Sequence, residues 1–450
     1  MNKKVITIIL GMALVATSGG VFCLRNNEVR ALEQGQGSTS TTPSLGEDSS
    51  RDMTTSQVTV FSDVKDTYWA KKGITAAIER GYVSGYPGGI FKPEQAIKRN
   101  EFIKMVVTAL KLPVENVGDT STKSDTSTKS TASTASWYES YVKVAKQNKF
   151  YIDSDFADND LGWNKVITRK EMARIAVRAG LEKEEKQDSK WMYVATKAGL
   201  ITGLGKGELG EAKSTTRAQS VTIIERILAV KNKEKLPVDK YAVGSAEIAW
   251  HGTNIFTVMP EIMVTDEAQY KGKTIEELWR QDLMTITSRD GLYKGALDAL
   301  IAIDLEDPND PNLRLLPPVN ELNWYNIPAL DDGVPEVKNP VSKWKKSYVL
   351  YFQKRTIMNK DNKKYANILK GPPYGIRGLD SPDIDKFYSG TLNTPAHLWH
   401  KKMDDIPAMI VPKTGWMIGN SKISIHIDVP STAGYLYQSN KILELDGPKS

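Results

Sequence analysis

Three arginines, Arg99, Arg169 and Arg217, each stand at the start of an apolar run of helical period. A guanidinium in that position lies beside backbone N–H groups that have no partner inside the helix. A carboxylate arriving there meets a forked donor together with the positive end of the helix dipole. This chemistry is anion recognition, and it needs no bond-making residue. The plainer use of the same arginines is pairing with neighbouring carboxylates. Trp69 and Trp137 raise a parallel choice, since large aromatics are ordinarily core anchors.

The elements that hold these residues repeat. Ala77 to Gly85, Ala145 to Asp153 and Ala195 to Gly203 align, and from Gly81, Lys149 and Gly199 the next aligned arginine follows after 18, 20 and 18 residues. Beyond each arginine, offset four gives Ile103, Ala173 and Val221, offset seven gives Val106, Ala176 and Ile224, and offset ten gives Ala109, Ala179 and Ile227. Steps of three and four residues place these side chains on one helix face. No single helix of this kind buries that face alone, so three equivalent helices should pack as an all-α, pseudo-threefold bundle. Thr168 and Thr216 precede their arginines as N-caps, and Glu171 completes a capping box. Gly81 and Gly85, like Gly199 and Gly203, are expected to end the preceding helix with positive φ.

Composition narrows the classes. Across 450 residues the net charge is +6, and no segment is basic enough to suggest nucleic-acid binding. Cys23 is the only cysteine, which excludes intrachain disulfides and cysteine-based zinc sites. Lys3 and Lys4 followed by the apolar run Val5 to Ala16 read as a signal peptide over residues 1–24, with an uncleaved anchor as the alternative. Phe22 before Cys23 argues against lipidation. Residues 25–56 are polar and read as a disordered spacer. A Ser/Thr/Lys linker at 118–135 interrupts the repeats, so the repeat region spans 57–232 as 57–115, 136–183 and 186–232.

These residues resemble the S-layer homology family. The first repeat carries Phe61-Ser62-Asp63-Val64, Trp69-Ala70, Gly81 to Pro93 and Ile97-Lys98-Arg99-Asn100-Glu101-Phe102. The second keeps Trp137-Tyr138 and Ile167-Thr168-Arg169-Lys170-Glu171, and the third keeps Gly199 to Gly203 and Thr216-Arg217-Ala218-Gln219. The resemblance implies an exported protein held noncovalently on the cell wall or S-layer surface of a Gram-positive-type bacterium. Its partner would be an anionic secondary cell-wall polymer, often pyruvylated. It assigns polymer contact to Arg99, Arg169 and Arg217, with Trp69 and Trp137 against sugar faces and Asp63 in the same site. No cofactor is implied, nor stable membrane insertion once the signal is removed.

The sequence departs from the family pattern. Lys98 replaces the capping Thr, Gln219 replaces the Glu of the third repeat, and Gln187 stands where the other repeats have Trp69 and Trp137. Fewer than three working grooves are therefore expected.

The remainder, 241–450, follows the polar link Lys231 to Pro237 and reads as an α+β domain of no recognised family, giving a multidomain chain. Strands are expected at Ser347 to Phe352, Ala408 to Val411 and Ile423 to Val429, and helices at Ile275 to Trp279 and Leu292 to Ile303. His397 and His400, with Asp404 and Asp405, would face one metal only if helical. The cluster Asp304, Glu306, Asp307, Asn309, Asp310 and Asn312 reads as a solvated turn rather than a calcium loop, as do Asp153, Asp155, Asp158 and Asp160. The basic stretch Lys343 to Lys364 reads as a solvated edge, with a surface for anionic glycans or lipid headgroups as the alternative. No catalytic motif appears, which favours a binding or envelope-building role for this half. A wall-anchored hydrolase of peptidoglycan or polysaccharide is the alternative.

Overall fold

The computed structural model describes residues 61–115, 136–265, 267–326, 337–365, 370–418, 422–430 and 438–447. The segments expected to be a signal peptide, a spacer and a Ser/Thr/Lys linker lie outside the described residues. The described residues belong to one compact unit.

Its first part is helical. Helices α1 (Lys71–Glu79), α2 (Arg99–Ala109), α3 (Glu139–Gln147), the single turn α4 (Asp160–Trp163), α5 (Arg169–Leu181), α6 (Lys190–Lys197) and α7 (Arg217–Lys231) follow the expected order. The apolar positions at offsets four, seven and ten from the arginines are buried in one core. Each shorter outer helix packs on the long inner helix of the preceding repeat: α3 on α2, α6 on α5 and α1 on α7.

A ring of backbone hydrogen bonds closes this arrangement. Ile97 N–H donates to the Thr215 carbonyl at 3.0 Å, Ile167 to Ile97 at 3.0 Å, and Thr215 to Ile167 at 3.1 Å. One residue pair further out, Arg99, Arg169 and Arg217 donate their amides to Lys165, Lys213 and Gln95 at 3.0, 3.0 and 2.9 Å. The segment before each inner helix is thus locked to its two counterparts, and all three helices start at one hub.

Local chemistry explains the boundaries. Thr168 and Thr216 cap α5 and α7 by accepting from Glu171 and Gln219 amides, and those side chains return to the cap amides. At α2 the hydroxyl is missing, and only Glu101 closes on the Lys98 amide at 2.8 Å. Gly81 and Gly199 do have positive φ, and in the second repeat Lys149 adopts it at 59°. The expectation fails at Gly85 and Gly203, which are not in that region. Gly85 is required by close approach, because a Cβ there would lie 2.2 Å from the Phe61 ring.

Helix α8 (Lys240–His251) adds to the helical core through Val243 and Ala246 and packs on α6. Single turns α9 (Ile255–Val258) and α10 (Pro260–Met263) lead into the sheet half. There β1 (Thr285–Thr287), β2 (Tyr293–Asp304), β3 (Asn323–Tyr325), β4 (Asn339–Pro340), β5 (Ser347–Asn359), β6 (Tyr374–Arg377), β7 (Ala396–Trp399), β8 (Ala408–Pro412), β9 (Ile423–Asp428) and β10 (Ser439–Leu445) build two antiparallel sheets. The larger has the order β1-β2-β5-β8-β7-β3-β4 and the smaller β10-β9-β6; the short helix α11 (Ile384–Tyr388) lies between β6 and β7 in the chain. All three expected strands are present.

The helix expected at Leu292 to Ile303 is instead the central strand β2. Its two faces enter different cores, Leu300 and Ala302 in one and Ala299, Ile301 and Ile303 in the other. A strand buried on both faces reads as an unbroken apolar run, and that run cannot be told from a buried helix by period. Ile275–Leu278 forms one 3₁₀ turn, shorter than expected.

Candidate functional site

The ring places the three arginines equivalently, and each guanidinium reaches into the loop of the following repeat. Arg99 donates to the Gly162 carbonyl at 2.9 Å and grips Glu171, Nε to Oε2 at 3.1 Å, with the second contact from Nη2. Arg169 donates to Leu209 and Thr202 carbonyls at 2.8 and 2.6 Å. Arg217 donates to Phe91 and Ser84 carbonyls at 3.1 and 2.8 Å. Part of each fork therefore serves the fold, and only Arg99 has a carboxylate within salt-bridge distance among the described residues.

The three grooves between outer and inner helices consequently differ. Between α6 and α5, Glu171 neutralises Arg99, Arg174 pairs with Asp188, and Arg178 pairs with Asp155 and Glu184. The tryptophan position there is Gln187, whose side chain accepts from Trp250 Nε1 of α8 at 2.5 Å. Between α3 and α2, Trp137 is 54% exposed, with Lys104 Nζ 5.4 Å above its ring.

Between α1 and α7 lies an open groove of about 790 Å³. Trp69, 59% exposed, forms one wall, and Arg169, Gln219 and Arg226 are on the others. Gln219 occupies the position that Glu171 holds in the filled groove, and being neutral it gives Arg169 no ion pair; Glu225, the carboxylate in the groove lining, is held by Arg80 and Tyr82. Arg226 has no hydrogen-bond or ion-pair partner among the described residues. Burial lowers the pKa of both guanidiniums, and at Arg169 the charge of Arg226 pushes the same way while Glu208 opposes it. Arginine stays charged regardless. Two partly desolvated cations facing one groove are relieved by an anion bound there.

Of the six residues expected in the site, the groove unites Arg169 and Trp69. Arg99 and Arg217 occupy the equivalent places in the other two grooves, and Trp137 faces the second of these. Asp63 lies apart, accepting Phe91 and Lys92 amides at 2.8 and 2.7 Å. Desolvation raises its pKa, but those bonds outweigh it and leave the carboxyl below its ordinary value. Its visible work is to hold the loop whose Phe91 carbonyl receives Arg217. Arg226 escaped the sequence reading. Its signal was position: it lies nine residues after Arg217, on the groove side of an inner helix, where the first repeat has Thr108 and the second Arg178.

Other candidates resolve into structural roles. His397 lies on β7 and His400 just beyond it, not on a helix, and His400 Nε2 meets Glu321 at 2.9 Å. Among the described residues no group of three or more His, Cys, Asp or Glu side chains could hold a metal. The acidic cluster is a turn solvated only in part: Glu306 and Asn309 are exposed, but Asp304 and Asp310 are buried and Lys413 Nζ sits 2.8 Å from Asp304. Of the second group Asp153, Asp158 and Asp160 are exposed, Asp158 accepting from Trp163 Nε1 at 2.7 Å, whereas Asp155 binds inward to Arg178 at 2.5 Å. Within the basic stretch, Lys354 is half-buried rather than solvated. A cavity of about 640 Å³ beside Glu276 does bring carboxylates together, but Glu276 is bound to Lys197 and to Tyr193, at 2.5 Å from the latter.

Comparison with known proteins agrees with the helical half. The S-layer homology domain model matches residues 60–103, so the chain carries an S-layer homology domain. The chain is 27% identical over 303 residues to the surface-layer 125 kDa protein of Lysinibacillus sphaericus, covering 62% of this chain and 24% of that protein. It is 31% identical over 141 residues to the cellulosome-anchoring protein of Acetivibrio thermocellus, covering 31% and 30%. It is 26% identical over 186 residues to an endoglucanase of Bacillus sp. strain KSM-635, covering 37% and 18%. The chain spans less than a third of each of these relatives. Among the described residues no helix is long and apolar enough to cross a membrane.

Proposed function

We propose that this is an exported surface protein held noncovalently on a bacterial cell wall by an anionic secondary polymer, which enters the groove between α1 and α7. In this reading residues 57–232 are a pseudo-threefold S-layer homology module behind a signal peptide and spacer, and 241–450 is the domain it displays. The observation that carries the proposal is that Arg169 and Arg226 share an open groove with the exposed face of Trp69 and have no carboxylate partner. A sugar bearing a carboxylate, such as a pyruvylated residue, satisfies all three: the acid meets the guanidiniums and the ring lies on the indole. Arg217, Trp137 and Lys104 form a weaker second groove, while the Arg99 groove is closed by its own ion pairs.

The test is retention on purified wall sacculi, with and without the secondary polymer. The folded wild-type chain should sediment with intact walls and stay in solution with stripped ones. An Arg169→Ala, Arg226→Ala double variant should lose most retention. Wild-type-like retention by that variant rejects the groove. The hydrolase alternative, which the named glucanase relative raises, predicts reducing ends or peptides released from these walls by the same preparation.

A further inference from the structure

The sheet half carries a second cluster that its own fold satisfies only in part. On the face of the larger sheet turned towards the smaller one, β3, β5 and β7 bring Tyr325, Lys354 and His397 together, and Tyr374, the first residue of edge strand β6, meets them from the smaller sheet. The His397 imidazole lies between two phenol rings, 5.6 Å from Tyr325 at an interplanar angle of 13° and 5.6 Å from Tyr374. Its Nδ1 is buried without a hydrogen bond, 4.0 Å from Asp404 Oδ1, while the side chain as a whole is 32% exposed. The ring therefore turns its other edge to solvent. Asp404 accepts from Tyr325 Oη at 3.2 Å and holds a left-handed backbone, φ 59°, which a non-glycine residue adopts at a cost. Lys354 Nζ donates to the Pro372 carbonyl at 3.1 Å and sits 4.6 Å above the Tyr374 ring. Among the described residues it has no carboxylate within salt-bridge distance.

We propose that this partly exposed cluster is a binding site for a neutral, hydroxyl-rich ligand, a sugar unit of uncharged polysaccharide. Lys354 is a donor, Asp404 an acceptor, and His397 offers either role, which is the mixture that hydroxyl groups need because each both donates and accepts. The half-buried Tyr325 supplies apolar contact with a polar tip. The charges cancel. Lys354 and Asp404 offset one another, and burial holds His397 below its ordinary pKa and so neutral, with Lys354 opposing its protonation and Asp404 favouring it. Burial also pushes Lys354 down to about 8. An anion gains little here, in contrast to the arginine groove. A cluster built only for stability would not leave a buried imidazole nitrogen without a hydrogen bond and a half-buried ammonium with a single carbonyl acceptor. The inference does not depend on the wall-binding reading.

Isothermal titration of the full chain with cello-, xylo-, malto- and chito-oligosaccharides tests it. At least one series should bind. Asp404→Asn and His397→Ala should each weaken that binding about tenfold or more, the scale of one lost polar contact to a charged or buried group. Tyr325→Phe, which removes one hydroxyl and keeps the ring, should weaken it less and serves if the other variants misfold. Arg169→Ala, Arg226→Ala should leave it unchanged while abolishing wall retention. No binding by any series at about 10 mM, a Kd weaker than that of any useful site, overturns the proposal. So does binding indifferent to Asp404→Asn and Tyr325→Phe, or a preference for uronic-acid oligosaccharides at this site.

Discussion

Arg99 and Glu171 meet as a forked ion pair across two repeats, and the same Glu171 closes the capping box on Thr168. One carboxylate thus joins neighbouring repeats and starts α5. Both side chains are mostly buried, at 11% and 13% exposure. Glu171→Gln should therefore cost about 2–4 kcal/mol, since removing one member of a buried pair strands the other. Urea unfolding measures this. A loss below about 0.5 kcal/mol would place the pair among surface bridges of little consequence.

The third repeat makes the reverse choice. Gln219 caps Thr216 as Glu171 caps Thr168, but it brings no charge to Arg169. Gln219→Glu should install the missing pair, fill the groove from within and lower sacculus retention about tenfold, with no loss of folding stability. Retention at the wild-type level in this variant would show that Arg169 does not need to be free.

Two glycines of the first repeat separate steric need from backbone need. At Gly85 φ is ordinary, yet a Cβ would collide with the Phe61 ring at 2.2 Å. At Gly88 φ is +87° and nothing lies within 4 Å of the added atom. Gly88→Ala should cost about 1–2 kcal/mol, the usual strain of a left-handed alanine. Gly85→Ala should cost more, because Phe61 is a core residue that must move. Thermal melts of the two variants side by side decide the order.

The repeat was legible because it rests on periodicity and on caps that act locally: the helices begin at Arg99, Arg169 and Arg217, as the spacing requires. Long-range chemistry was not legible. Nothing local to Arg226 says that it lacks a partner, and nothing local to Gln187 says that Trp250 will bind it. The run Leu292 to Ile303 shows the same limit from the other side. Its apolar residues fit a helix or a doubly buried strand equally well until β5 is known to pair with it, Ile301 opposite Tyr351. The spacing of His397 and Asp404 suggests a metal site, but it is Tyr325 and Tyr374, distant in sequence, that give them their setting.

The junction between α8 and the sheet half should make stability depend on pH. Glu247 is fully buried, accepts from Thr257 Oγ1, and has its other oxygen 3.7 Å from His251 Nε2. Burial pushes Glu247 up to about 8 and His251 down to about 4. Glu276, beside them, is driven up by burial, but hydrogen bonds from Lys197 and Tyr193 prevail and hold it at about 2, so it is charged throughout the range that matters. Glu276 favours a charged His251, and burial together with Lys190 and Lys197 prevails against it. For Glu247 the native state holds a proton that the unfolded chain has released above about 4.5, so its contribution falls as pH rises towards 8. For His251 the unfolded chain binds the extra proton between about 4 and 6.5, so its contribution rises over that interval. The two slopes oppose each other up to about pH 6.5, and above it Glu247 acts alone. Between about pH 6.5 and 8 the chain should lose on the order of 2 kcal/mol, one proton's linkage across that window. Glu247→Gln should flatten the slope there while leaving the fold intact, and urea titrations at both pH values read it directly. A slope unchanged in that variant would mean that Glu247 ionises without loosening the junction.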